Sequence, residues 1–212
     1  MNANNILVVG AHFDDAELGC GGTMARFAAE GKKVYKLTLT NNVTNFAQMD
    51  VHVDFESSLH DSANACAVTG AEEIRDFNFV ECNHLVYCTE VMQQIESILM
   101  EKNIDTIFMH FHSDMNQDHI AASSLCLTAA RHCRNLLYYQ SNGYVLNTPF
   151  YPTVFVDISD TFETKRKALM AYGEEHNRFG GLFGVSLDRN SVWGYENGVR
   201  YAEGFMPVKV CE

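Results

Sequence analysis

Apolar and polar positions along this chain fall into short blocks whose period changes repeatedly. Continuous apolar runs, Ile6 to Gly10, Val34 to Leu39 and Thr106 to His110, read as strands buried on both faces. Between them lie segments with apolar residues three and four positions apart. Leu18 to Glu30 carries Met24, Phe27 and Ala28 on one side and meets Gly31. Asp54 to Thr69 carries Phe55, Leu59, Ala63 and Ala67 and meets Gly70, and Glu90 to Lys102 carries Val91, Ile95, Ile98 and Leu99. That spacing predicts amphipathic helices, with glycine supplying the C-terminal stop. Further strands are expected around Ile74 to Phe79, Leu136 to Gln140 and Thr153 to Val156. Further helices are expected over His119 to Arg131 and Thr161 to Glu174, the latter as the last substantial one. The glycine-rich segment from about 177 to 212 shows no clear period.

Strands alternating with helices predict an α/β fold, a Rossmann-like, mostly parallel sheet with helices on both faces. No proline- or serine-rich stretch divides the chain, so residues 1–212 are expected to form a single domain. In such sheets ligands sit beyond the carboxyl ends of strands, where the strand order reverses.

Composition narrows the picture. Hydrophobic residues make up 47% and charged residues 20%, a globular balance. The net charge of −12 argues against nucleic acid or an anionic membrane as partner, since both need a basic face. No apolar run approaches the roughly 20 residues of a membrane-spanning helix, and the N-terminus lacks the basic region of a signal peptide. Seven cysteines without a CxxC pair read as reduced thiols of a cytoplasmic protein. Cys126 and Cys133 are expected on one helix face in the core, and Tyr138 and Tyr139 as strand packing.

The chemistry is concentrated in two clusters, each beyond a strand. His12-Phe13-Asp14-Asp15-Ala16-Glu17 follows the first apolar run, and His112 to His119 follows the run ending at His110. A histidine and an aspartate three positions apart can reach one metal ion, and the aspartate between them can act on its water. Three protein ligands with one open position are the usual form of a catalytic zinc site, and His12, Asp15 and His119 are the candidate ligands. A site without thiolate would also accept iron, cobalt or manganese. Gly19-Cys20-Gly21-Gly22 lies too far beyond the strand for a dinucleotide fingerprint, and Asp14 and Asp15 would repel a pyrophosphate. These glycines are expected to allow close packing of the first helix.

His12-Phe13-Asp14-Asp15-Ala16-Glu17 with Gly19 and Gly21-Gly22-Thr23 resembles the HPDDxE…GGT opening of the PIG-L/LmbE-like deacetylase family. Asp114-Met115-Asn116-Gln117-Asp118-His119 is similar to its second motif, DxHxDH. The helix from Phe55 to Gly70 and the late Ala202-Glu203-Gly204-Phe205 also look like family segments. The resemblance implies a zinc-dependent enzyme that removes the acetyl group from an N-acetylated amino sugar or its conjugate, with that small molecule as its partner. It implies His12, Asp15 and His119 as metal ligands and Asp14 as general base, with Asp114 and Asp118 orienting ligands or nearby backbone.

Two departures stand out. Phe13 replaces the motif's proline, which stiffens the turn and supplies no chemistry. Asn116 stands where many members carry a histidine; its amide can donate to an oxyanion but cannot transfer a proton near neutral pH. Asp14 must then serve as both base and acid, or His110 or His112 must assist. Asn116 as a turn residue at the start of its helix, and Asp118 as that helix's N-cap, are the structural alternatives. An arginine frequent in the family is missing where Val53 sits. Thr40 and Asn41 end the second strand at the same sheet edge and are candidate substrate contacts. His52, His60, His84 and His132 read as surface or core histidines, and His176 as a solvated loop residue. Phe179, Phe183 and Trp193 are expected to be exposed, as a lid or a contact in a homo-oligomer. The rival readings are a hydrolase of another sugar amide or formamide, and a metal-retaining sugar-binding protein without turnover.

Overall fold

A computed structural model describes residues 3–46, 51–144, 147–173 and 182–211, so His176 and Phe179 lie outside the described residues. In chain order the elements are β1 (Asn5–Gly10), α1 (Asp15–Ala29), β2 (Lys33–Thr38), β3 (Thr44–Phe46), β4 (Val51–Val53), α2 (Phe55–Thr69) and β5 (Glu72–Ile74). They continue with α3 (Thr89–Glu101), β6 (Thr106–His110), α4 (Gln117–Ala129), β7 (Asn135–Tyr139), β8 (Val154–Asp157), α5 (Phe162–Met170), α6 (Leu182–Glu196) and β9 (Ala202–Lys209). Seven strands form one sheet in the order β5-β2-β1-β6-β7-β9-β8, while β3 and β4 make a separate antiparallel pair. Pairing is parallel from β5 through β7, and β9 runs antiparallel between β7 and β8.

Alternation along the central strand explains why its apolar run is unbroken. Leu7 and Val9 face a cluster built with Ile95 and Leu99 of α3 and Leu125 and Cys126 of α4. Ile6 and Val8 face the opposite cluster, with Ala16, Cys20, Met24 and Phe27 of α1. Both faces of the sheet are therefore buried, as a parallel sheet requires. A third cluster joins Phe13 and Leu18 to Ala65 of α2, Leu169 of α5 and Phe183 of α6. Because β1 pairs with β2 on one side and β6 on the other, the strand order reverses between β1 and β6. The crevice beyond their carboxyl ends is the place where such sheets bind ligands.

The glycines of the first helix serve close packing. A Cβ on Gly19 would collide with the Tyr139 ring, and one on Gly22 would lie 2.7 Å from Ile158 Cδ1. The C-terminal stop of α2 is Gly70, at φ +79°.

Four expectations shift. The strand foreseen at Ile74 to Phe79 lies earlier, as β5 over Glu72–Ile74, sharing only Ile74 with that range; beyond it the Asn78 N–H donates to Gln94 Oε1 and not to a strand partner. Cys133 is buried but lies past α4, its amide closing a turn on the Ala130 carbonyl. The helix foreseen at Thr161 to Glu174 is Phe162–Met170, and it is not the last: α6 and β9 fill the glycine-rich tail. Phe183 is buried, and half-buried Trp193 packs near Phe150 and Phe155, so neither is an exposed aromatic.

Replacing Gly19 by alanine is expected to cost about 1–3 kcal/mol through overpacking against Tyr139. Gly184→Ala, on the exposed side of α6 with nothing within 4 Å of its would-be Cβ, is expected to be neutral or to stabilise by up to about 1 kcal/mol. Urea unfolding of the two variants checks the contrast.

Candidate metal centre

The turn after β1 is tight because Gly10 permits it: a Cβ there would lie 2.7 Å from the His12 carbonyl oxygen. Asp15 Oδ2 accepts the His12 N–H at 2.7 Å, folding the chain back as α1 begins. Asp15 and Glu17 occupy the first turn of α1, where the helix dipole favours carboxylates. Asp14 takes the N-cap position, but its side chain makes no capping hydrogen bond.

Beneath this turn lies a sealed ionic network. Lys36 of β2, wholly buried, donates to the Phe13 carbonyl at 2.6 Å, to both Glu17 oxygens at 2.9 Å, to Ser62 Oγ at 2.9 Å and to Tyr172 Oη at 2.7 Å. Tyr172 Oη also donates to the Phe13 carbonyl at 2.7 Å. Two donors thus grip the peptide between Phe13 and Asp14. The Phe13 ring is buried beside Phe55 and Phe79. A proline at this position could stiffen the backbone; here the clamp and ring packing do so.

His119 reaches the same crevice from α4. Asn116 is the N-cap of that helix, its Oδ1 accepting the Asp118 N–H at 2.8 Å, so Asp118 lies inside the first turn and does not cap it. His12 Nδ1 lies 3.2 Å from His119 Nε2 and 3.3 Å from Asp15 Oδ2, and His119 Nε2 lies 3.3 Å from Asp15 Oδ1. Ligand atoms about 2.0–2.1 Å from a tetrahedral zinc are separated from one another by roughly 3.3 Å. Each pair of the three side chains stands near that spacing, His12 against Asp15 Oδ2 and His119 against Asp15 Oδ1, and their imidazole and carboxylate chemistry suits a borderline divalent cation.

Each histidine is held from behind. Asp118 Oδ2 lies 3.3 Å from His12 Nε2 and is itself fixed by the amides of Asn83 at 2.7 Å and, through Oδ1, Leu85 at 3.2 Å. Asp114 Oδ2 lies 3.2 Å from His119 Nδ1, and Asp114 accepts from the Asn116 amide at 2.9 Å and from Asn142 Nδ2 at 2.8 Å. Carboxylates in this position fix the ring orientation and basicity of a ligating histidine.

Burial by itself would lower the pKa of His12, but Asp118 and Asp15 outweigh it and hold it well above the ordinary value. Burial is likewise outweighed at His119, where Asp15 and Asp114 raise it to about 9. Burial would raise Asp15, yet the imidazoles of His119 and His110 hold it well below the usual carboxylate range. Burial pushes His110 down to about 4, reinforced by His119, whose ring stacks on it at 3.9 Å. His110 is thus neutral near pH 7 and sits behind Asp15, its Nε2 3.1 Å from Oδ2. His112 is exposed and paired with Ser113 Oγ at 2.7 Å.

Thr40 is buried, its hydroxyl donating to the Ala11 carbonyl at 2.8 Å. Asn41 Oδ1 accepts the amides of Val43 and Cys82, both at 3.1 Å, tying two loops together. Sequence reasoning overlooked Asn142, Cys82 and the amides of Asn83 and Leu85, which nothing in their spacing marks. Lys36 did leave a signal, a charge inside an otherwise apolar strand.

The same fold recurs in known proteins. A profile described as PIG-L, GlcNAc-PI de-N-acetylase, matches residues 7–130, more than half of the chain, which therefore belongs to the PIG-L family. The uncharacterized deacetylase YaiS of Escherichia coli K12 is 26% identical over 170 residues, spanning 78% of this chain and 88% of its own length. A diacetylchitobiose deacetylase of Thermococcus kodakarensis is 24% identical over 226 residues, spanning 97% of this chain and 84% of its own. The crystal structure of the conserved protein TT1542 from Thermus thermophilus superposes with a TM-score of 0.81 at 27% identity, over 99% of this chain and 97% of the other.

Two outcomes are expected. Lys36→Met, which strands the Glu17 carboxylate in the core, should cost about 3–5 kcal/mol in urea unfolding. His119→Ala and Asp15→Asn should each remove the equivalent of zinc held by the three-ligand site in equilibrium dialysis, whereas Asp114→Asn should weaken that equivalent by roughly 10- to 100-fold.

Proposed function

We propose that this chain hydrolyses the N-acetyl group of an amino sugar or its conjugate, using one divalent cation held by His12, Asp15 and His119. The observation that carries the reading is the convergence of His12, Asp15 and His119 at the sheet's reversal point, beside Asp14, with the two imidazole nitrogens 3.2 Å apart and each 3.3 Å from an Asp15 oxygen. Zinc fits the donor set best, with iron or cobalt as substitutes. When bound, the cation would supply Lewis acidity toward the amide carbonyl and a more acidic water.

The protein's own groups do the rest. Asp14 stands at the N-cap of α1, carried by the clamped peptide and not engaged in capping, and it takes the proton of the attacking water. The Asn116 Oδ1 is committed to the Asp118 amide, so only its amide nitrogen can donate toward the developing oxyanion. Neither Asn116 nor neutral, buried His110 can supply a proton at neutral pH. Asp14 therefore returns the proton to the leaving amine. Thr40 and Asn41 bear on the sugar only indirectly, Thr40 by bracing the Ala11 carbonyl and Asn41 by holding the amides of Val43 and Cys82.

The substrate is a small N-acetylated glycoside or sugar conjugate. The family assignment and the diacetylchitobiose deacetylase relative support this class. We also place the protein in the cytoplasm, a reading supported by its seven cysteines, none of them in a disulfide. No helix among the described residues is long and apolar enough to cross a membrane.

Acetate release from a panel of N-acetylated sugar conjugates, with N-formyl counterparts alongside, tests the reading. Asp14→Asn is expected to lower turnover by roughly 100- to 10,000-fold with zinc content unchanged. Full activity in that variant would remove Asp14 from its role, and formate release without acetate release would move the chemistry to another amide.

A further inference from the structure

His12 presents two nitrogens, and the three-ligand site uses only one. Nδ1 faces His119 and Asp15, while Nε2 points the other way, to Asp118 Oδ2 at 3.3 Å. Cys82 lies close to this pair: a nitrogen of His12, the Cys82 sulfur and an Asp118 oxygen all fall within 4.8 Å of one another. Imidazole, thiolate and carboxylate together make a donor set that suits thiophilic divalent cations. An orienting carboxylate behind a ligating histidine needs no thiol beside it, so the sulfur is a separate fact to explain.

Cys82 is held at this place by its loop. Its amide donates to Asn41 Oδ1 at 3.1 Å, and the next residues wrap the Asp118 carboxylate with the amides of Asn83 and Leu85. Gln117 Nε2 of α4 donates to Asn83 Oδ1 at 3.0 Å, tying the loop to the helix that carries Asp118. The sulfur is buried, with the Thr44 hydroxyl 3.5 Å away. Charge favours a second cation as well. Asp15, Asp114 and Asp118 crowd around the two ligating histidines, and among the described residues their ion pairs are to histidine, never to lysine or arginine. One divalent cation leaves these three carboxylates with a residual negative charge.

We infer that His12, Cys82 and Asp118 form a second, thiophilic cation position that shares His12 with the first and acts as a brake when zinc is in excess. Binding replaces the Cys82 thiol proton and the His12 Nε2 proton, both released to solvent, so that the imidazole bridges two cations. Asp118 then ligates and no longer accepts from His12, and the outer support of the first site is lost. The binding claim stands independently of the reaction; the brake rests on the deacetylase reading.

Cobalt(II) titration of the metal-free full chain, followed in the visible and near ultraviolet, tests the site. The first equivalent is expected to give only weak visible bands, from a thiolate-free site. The second should bring an intense near-ultraviolet thiolate-to-cobalt band. Cys82→Ser and Cys82→Ala should keep the first equivalent, which also reports that they fold, and lose the second with its band. In acetate release, zinc beyond the first equivalent should slow the wild type severalfold and leave Cys82→Ser unaffected. Wild-type protein that stops at one equivalent without a thiolate band overturns the proposal, as does a Cys82→Ser protein that keeps the second equivalent and its band. If no acetate is released under any condition, the deacetylase reading and the brake fall together, while the cobalt band still decides the site.

Discussion

The arrangement depends on one buried ammonium group. Lys36 sits in the second strand with no exposure to solvent, and it is compensated by Glu17 from the first helix and by three neutral oxygens. Removing such a charge from water costs several kcal/mol, and the ion pair repays that cost only when its geometry is close to ideal. What the pair secures is position. It fastens the Phe13 carbonyl, hence the direction in which the chain leaves β1, hence where His12, Asp14 and Asp15 point. A hydrophobic residue could fill the same volume, but it could not grip a carbonyl.

From that anchored turn the site is closed by a second rigid frame. The helix bearing His119 starts where Asn116 caps it, and Asp114, set by Asn142, restrains the ring from outside. Gly19 lets α1 lie against Tyr139 of β7, whose hydroxyl donates to the Val9 carbonyl at 2.7 Å. The two motif-bearing segments, far apart in the chain, are therefore locked to a common scaffold. The side chains of His12, Asp15 and His119 stand pairwise at 3.2–3.3 Å, with the two histidines on different Asp15 oxygens. Such preorganisation is what metal-assisted catalysis draws on.

Much of this was legible from residue order. Unbroken apolar runs bounded by helical spacing gave the parallel part of the sheet, and the two polar clusters fell at strand ends, as a switch-point site demands. The last strand was not legible, because Glu203 interrupts its apolar run; that carboxylate is buried with Lys165 at 2.7 Å, a pairing no local pattern announces. Asn116 illustrates a different limit. Its side chain could serve either a helix end or a reaction, and only the folded chain shows Oδ1 committed to the helix. Cys82 and Asn83 were equally silent, since their relevance comes from a loop fold set by the distant Asp118.

The Glu203 carboxylate has a consequence for the order of biosynthesis. It accepts the amides of Gly22 at 3.0 Å and Thr23 at 2.7 Å, and it neutralises Lys165, which also donates to the Leu18 carbonyl. The helix that Asp14 leads into is made about 180 residues before Glu203, yet its seating waits for that carboxylate. Until Glu203 is in place, the Gly22 and Thr23 amides lack their acceptor and Lys165 its counter-charge. The nascent polypeptide cannot mature from front to back; the segment bearing its first polar motif settles only once Glu203 has been added.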